Sequence, residues 1–168
     1  FDNARFILHG VLTELKDYCE KLILCRPTAV NLKWATEEMM KVAEKSNAEN
    51  FKENLTKKAL TMIDDDIAIC RKIGENGAEI LKNCNSVLTH CNAGALACVD
   101  YGTALGVFRA ARDAGKNIQV ICDETRPRGQ GASLSVWEMQ QENIPVKLIP
   151  DVASGYVMSQ GIIDKVVI

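Results

Sequence analysis

The sequence predicts an α/β fold: a helical N-terminal region over residues 1–83, then part of a parallel sheet over residues 84–168. Three observations predict it. Apolar residues recur at helical spacing through the first half. Short β-branched runs then alternate with helical stretches, in the order βαβαβαβ. That alternation builds a parallel sheet with right-handed crossovers and helices on both faces. The length, 168 residues, holds one domain with a real core, or one small domain plus part of another.

Residues 3–22 place Phe6, Ile7, Val11, Leu12, Leu15, Tyr18 and Leu22 near helical spacing. Pro27 disfavours helix at Arg26 and can start a new one. Residues 29–45 read as that second helix, and 47–50 as a polar turn. A long helical pattern covers about 51–81, with apolar positions at Leu55, Leu60, Met62, Ile63, Ile67, Ile69, Cys70 and Ile73. Gly74 and Gly77 either weaken that helix or allow close packing. Ser86-Val87-Leu88-Thr89 is a short strand. A helix over 102–114 is stopped by Gly115. Residues 117–122 form the next strand, and 134–142 a helix capped by Ser133. Then come a strand at 146–149, a helix at 152–159 and a strand at 165–168. No internal repeat or low-complexity segment is evident.

Composition is that of an ordinary globular protein: 47% hydrophobic and 25% charged. A net charge of −2 gives no generic attraction to nucleic acid or to an anionic membrane. No apolar run is long enough to span a bilayer. The seven cysteines are irregularly spaced with no C-x-x-C pair, and only two histidines are present. A zinc ribbon or a His-rich metal site is therefore not expected. Reduced thiols in a cytoplasmic protein is the simpler reading. The opening Phe1-Asp2-Asn3-Ala4-Arg5 is neither a signal peptide nor a natural start, so an internal cut is expected there. The C-terminal strand at Ile168, with no loop after it, suggests a second cut.

Ligands of an open α/β sheet sit outside the carboxyl ends of the strands. Those ends are His90-Cys91-Asn92, Asp123-Glu124-Thr125-Arg126, Pro150-Asp151 and whatever follows Ile168. The first two carry the densest polar chemistry. Cys91 reads as a nucleophile, a general acid/base or a transition-state stabiliser, or as one of seven inert thiols. The helix starting near Gly102 could supply a field that favours its thiolate. Neighbours on a strand point to opposite faces, so His90 diverges from Cys91 and is read as packing. Arg26, at a helix start, is either a phosphate clamp or a surface arginine. Gln130, between two glycines, either approaches a ligand or sits in a flexible turn. Arg126 and Arg128 bind an anion or are solvated. No G-x-G-x-x-G and no P-loop occurs. Asp64-Asp65-Asp66 reads as a solvated helix face.

Several motifs fall in a fixed order. They are Arg26-Pro27-Thr28-Ala29-Val30-Asn31-Leu32, Thr89-His90-Cys91-Asn92-Ala93-Gly94-Ala95-Leu96-Ala97, Tyr101-Gly102-Thr103-Ala104-Leu105-Gly106, Asp123-Glu124-Thr125-Arg126-Pro127, Gln130-Gly131 and Trp137-Glu138. From about Cys25 to the last residue, the set resembles the methylthioribose-1-phosphate isomerase family of methionine salvage. Ribose-1,5-bisphosphate isomerase and the regulatory subunits of the translation-initiation guanine-nucleotide exchange factor share that family. The resemblance implies a helical N-terminal domain, a Rossmann-like second domain and a homodimer. It implies conversion of 5-methylthioribose 1-phosphate to 5-methylthioribulose 1-phosphate, without metal or organic cofactor. It makes Cys91 the active-site cysteine, and Arg26 and Gln130 substrate-binding residues, mainly for the phosphate end.

The family's catalytic aspartate, in Gly-Ala-Asp, follows the strand that here ends at Ile168. An Arg-Gly-Ala-Pro segment precedes Phe1 in the family, and an Asn-Lys pair lies further downstream. On this expectation the chain is an internal fragment, inactive by itself because it lacks the general acid. Ala132-Ser133-Leu134-Ser135 stands where the family more often has Ala-Arg-Leu-Thr. The Asn92–Ala97 wording favours the methylthio sugar over a bisphosphate, and retention of Cys91 and Gln130 favours an enzyme over a regulatory subunit.

Overall fold

A computed structural model describes residues 2–168, with side chains from Phe6 onward; Phe1, read above as a cut end, lies outside the described residues. The chain forms two compact units that divide between Ile63 and Asp64. The helical pattern runs on to residue 80, beyond that division, because packing and periodicity mark different things. Periodicity ends where the helix ends, whereas the second half of the long helix packs within the second unit, against Tyr101, Gly106 and Val107.

In the first unit α1 spans Asp2–Cys25 and packs on α2, Val30–Lys45. Ala29 stays extended before α2, at φ −80 and ψ 93, so α2 starts one residue later than its pattern suggests. The packed stripe of α1 is Leu8, Leu12, Leu15, Cys19 and Ile23. Phe6, Ile7, Val11, Tyr18 and Leu22 are exposed instead. This helix carries apolar residues on more than one face, and period alone does not choose between them. The turn at 47–50 is tied by reciprocal side-chain caps. Asn47 Oδ1 accepts from the Glu49 and Asn50 amides, and Asn50 Oδ1 accepts from the Asn47 amide. They launch α3, Phe51–Ile80. Leu55, Met62, Ile67 and Cys70 of its pattern face inward, while Leu60, Ile63, Ile69 and Ile73 are exposed.

The second unit holds a four-stranded, wholly parallel sheet in the order β3-β2-β1-β4. Its strands are β1 Ser86–Thr89, β2 Gln119–Asp123, β3 Val146–Ile149 and β4 Lys165–Val166. Val87 and Leu88 point to opposite faces of central β1, and both are buried, so both faces are covered there. Edge strand β4 is exposed, and the Val167 amide prolongs its pairing by donating to the Leu88 carbonyl at 2.9 Å. The core gathers Leu81, Val87, Leu105, Phe108, Val120, Cys122 and Met139. Gly74 and Gly77 serve close packing: a Cβ on Gly74 would lie 2.9 Å from the Gly106 carbonyl oxygen, and one on Gly77 would overlap the Val107 methyls.

Several elements depart from their patterns. Helix α4, Ala104–Asp113, starts two residues late because Gly102 has φ +82, a left-handed conformation outside a helix. Its end is as expected. Gly115, at φ +79, donates to the Arg112 carbonyl, and Lys116 donates to the Ala111 carbonyl. A short 3-10 turn, Ala95–Ala97, falls where no element was expected. The helix read at 134–142 is a wide π-type turn, Gly131–Ser135, leading into α5, Val136–Gln141. Ser133 does not cap it; its hydroxyl donates to the Gly129 carbonyl at 2.8 Å. A 3-10 turn, Asp151–Ala153, precedes α6, Ser154–Ser159. Strand β2 includes Asp123, so that residue belongs to the strand end. Asp64 and Asp65 are exposed as expected, but half-buried Asp66 accepts a hydrogen bond from the Val99 amide at 3.1 Å.

Candidate functional site

In an open parallel sheet the ligand crevice lies beyond the carboxyl ends of the strands, where strand order reverses. From β1 the chain moves out to β2 and β3, then returns to lay β4 on the other side of β1. The reversal falls between β1 and β4, and the loop leaving β1 carries Cys91.

Cys91 is exposed and has φ 60, a left-handed conformation that costs a residue with a Cβ about 1–3 kcal/mol. Two bonds hold it there. Its amide donates to Thr125 Oγ1 at 2.8 Å, and its carbonyl accepts from Ser135 Oγ at 2.6 Å. Thr125 is itself left-handed, at φ 63. The Asp151 carboxylate, at the end of β3, clamps it by accepting from the Thr125 and Arg126 amides, each at 2.8 Å. Those two amides, Arg126's first, hold the Asp151 carboxyl below the ordinary range. The loop after β3 thus fixes the loop after β2, which fixes the backbone of Cys91.

Half-buried Gln130 opens the turn Gly131–Ser135, and the end of that turn delivers the Ser135 hydroxyl to the Cys91 carbonyl. The turn passes so close to β2 that a Cβ on Gly131 would overlap the Asp123 carbonyl. Cys91 and Gln130 therefore belong to one bonded loop cluster of the second unit. Arg26 is exposed in the turn between α1 and α2 of the first unit. Arg126 pairs with Glu124 at 2.9 Å, and Arg128 is exposed.

One expectation is corrected. His90 is not a packing residue: its side chain is 49% exposed, and Nδ1 lies 3.0 Å from Oδ2 of buried Asp123. The other Asp123 oxygen accepts from Ser154 Oγ at 2.5 Å. His90 diverges from Cys91 because it turns toward β2. At the start of α4, the N-cap Thr103 amide and the Leu105 amide donate to the Ala93 carbonyl at 3.0 and 3.3 Å.

Behind the Cys91 loop lies a pair that the sequence reading missed. Glu138 is 2% exposed and Arg109 is 5% exposed, and they meet at 2.7 Å. Glu138 also accepts from Asn92 Nδ2 and from the Ala95 and Leu96 amides. Burial pushes the Glu138 carboxyl up, but Arg109, Asn92 and those amides more than reverse it, leaving it below its ordinary value. Gly94 is where this approach is tightest, because a Cβ there would overlap the Glu138 carboxylate. Trp137-Glu138 stands among the motifs of the resemblance, but no local pattern gives Glu138 a partner, since an acid in a helical pattern reads as solvated. Asp151 had a signal, its place at a strand end.

Residues 4–168 match the Initiation factor 2 subunit family. The methylthioribose-1-phosphate isomerase of Thermotoga maritima is 51% identical over 161 residues, covering 95% of this chain and 47% of that protein. The crystal structure of 5-methylthioribose 1-phosphate isomerase from Pyrococcus horikoshii OT3 superposes with a TM-score of 0.83 at 38% identity, over 95% of this chain and 45% of that one. The structure of translation initiation factor eIF-2B, subunit delta, from A. fulgidus gives 0.79 at 45% identity, over 94% and 47%. The chain spans about half the length of the relatives it matches. No described helix is long and apolar enough to cross a membrane.

Proposed function

The chain belongs to the initiation factor 2 subunit family, and from that premise we propose that the protein carrying it is an aldose–ketose isomerase. Its substrate is 5-methylthioribose 1-phosphate and its product 5-methylthioribulose 1-phosphate, a step of methionine salvage. It works in the cytoplasm as a homodimer, with no metal or organic cofactor in the reaction. The observation that carries this reading is Cys91, exposed in a left-handed conformation on the loop beside the strand-order reversal. The isomerase name of the relatives supports it.

The chemistry explains what such a site must do. Phosphate on O1 blocks the free aldehyde, so the sugar ring opens with acid help. A hydrogen then moves from C2 to C1, while the C2 hydroxyl becomes the carbonyl. A thiol beside C1 and C2 serves that transfer, and a dry pocket strengthens it. In this reading Cys91 faces the reacting carbons, and Gln130 and Arg26 bind the phosphate end. The bonds from Thr125 and Ser135 position Cys91 before substrate arrives.

The test is turnover of 5-methylthioribose 1-phosphate by the polypeptide carrying this chain and by its Cys91→Ala form. The substitution is expected to lower kcat by about 100-fold or more with little change in KM. An active parent whose kcat is untouched removes the thiol from the mechanism. Turnover of ribose 1,5-bisphosphate instead moves the substrate to a bisphosphate. The likeness to eIF-2B subunit delta favours a second reading, a regulatory subunit acting by assembly. Turnover of neither sugar, with stable incorporation into a translation-factor complex, decides for it.

A further inference from the structure

Away from the Cys91 thiol, α3 and the loop before α4 bring three donor groups together. Asp66 and Cys70 stand four residues apart on α3, on one helix face. Cys98 arrives just past the short turn Ala95–Ala97. Asp66, Cys70 and Cys98 each direct one donor atom into a cluster whose members lie within 4.8 Å of one another. Cys70 is buried, and the other two are half-buried, so one side stays open.

We propose that Asp66, Cys70 and Cys98 form a binding site for a soft divalent cation of the zinc class. The donor set is what such an ion takes: two thiolates, a carboxylate and a fourth position for water. Donors around a tetrahedral zinc stand roughly 3.3–3.8 Å apart, given its bond lengths. The cluster therefore needs to contract by at most about 1 Å, and the Cys70 Sγ and Asp66 Oδ2 atoms already stand 3.9 Å apart. Arg71, the adjacent cation of α3, does not occupy this position. It turns to Asp100 at 3.9 Å and stacks on the Tyr101 ring at 4.7 Å.

Without a cation the Cys70 thiol donates to Asp66 Oδ2 at 3.9 Å. Burial, then the neighbouring Cys98 and Asp66, push the Cys70 thiol up to about 12. A bound dication reverses that arithmetic: both thiol protons leave to solvent, and three negative donors face two positive charges. Among the described residues, a cross-link here would join α3 to the same loop that carries Cys91. The spacing of the set, 66, 70 and 98, resembles no zinc-ribbon pattern.

The experiment uses the polypeptide carrying this chain, reduced and stripped with chelator, then titrated with cadmium. One equivalent is expected to raise an ultraviolet thiolate-to-cadmium charge-transfer band, and zinc should compete it away. Cys98→Ser and Asp66→Asn should each weaken cadmium binding by more than about tenfold, the least that losing even an outer partner of a metal ligand costs. Cys91→Ser should leave the band intact. Unchanged thermal melts of the metal-free variants show that the loss is not unfolding. No stoichiometric band in the reduced parent overturns the proposal. So does a band that survives Cys98→Ser, or a Cys70–Cys98 disulfide in protein that takes up no cadmium once reduced.

Discussion

The loop after β1 and the loop after β2 do similar jobs and are secured in opposite ways. Each leaves a buried central strand, and each holds a non-glycine residue in the left-handed region, Cys91 at φ 60 and Thr125 at φ 63. The first is gripped from beneath by Glu138 and Arg109, both nearly inaccessible to water. The second is gripped from its rim by Asp151, half-buried and bonded only to backbone amides of that loop through its carboxylate. A buried charge cannot be released cheaply, because neither partner finds water when the other is lost. A rim carboxylate can be released, because solvent replaces its bonds. The thiol loop is thereby tied to global stability, and the Gln130 loop is open to solvent conditions.

Breaking the grip beneath should cost most. Glu138→Ala leaves the Arg109 guanidinium buried with only Glu142 and the Tyr101 carbonyl as partners. It is expected to destabilise the protein by about 3–5 kcal/mol in denaturant unfolding. A loss below about 1 kcal/mol would mean that the loop is not anchored there. Gly94→Ala tests the same grip from the loop side. Its Cβ would overlap the Glu138 carboxylate, so a loss of about 1–3 kcal/mol is expected from overpacking.

The rim grip should show only locally and should respond to acid. The Asp151 carboxyl lies below its ordinary value in the folded loop, so folding favours its ionised form. Its contribution is complete above about pH 4, the ordinary value for an aspartate, and is lost as pH falls through the folded value. Hydrogen-exchange protection of the Thr125 and Arg126 amides should decline over that acid range. In Asp151→Asn it should be low at every pH, with the global unfolding midpoint nearly unchanged. Equal protection in the variant would show that something other than Asp151 clamps the loop.

The two grips also differ in how far the sequence disclosed them. Asp151 follows Pro150 at a strand end, where polar residues in a parallel sheet gather, so its place was legible although its partners were not. Glu138 lies inside a helical run next to Trp137, and its partner Arg109 is 29 residues away. No local pattern joins two residues that meet only when α4 and α5 both pack beside the same loop. His90 shows the converse. Strand alternation correctly turned it away from Cys91, yet the inference of packing failed, because the space beside it holds Asp123 rather than an apolar core.

By itself the sequence determined the order and nature of nearly every element, and the strand end at which the thiol would stand. Helical period, proline and glycine punctuation and β-branched runs are local, and they survive any tertiary arrangement. Only the tertiary structure decided that β4 returns beside β1, so that strand order reverses next to the strand that leads into Cys91. It alone decided which apolar face of α1 is packed, and which carboxylates hold which loops. Those outcomes rest on hydrogen bonds and burial between residues tens of positions apart, and such interactions exist only once the chain has closed on itself.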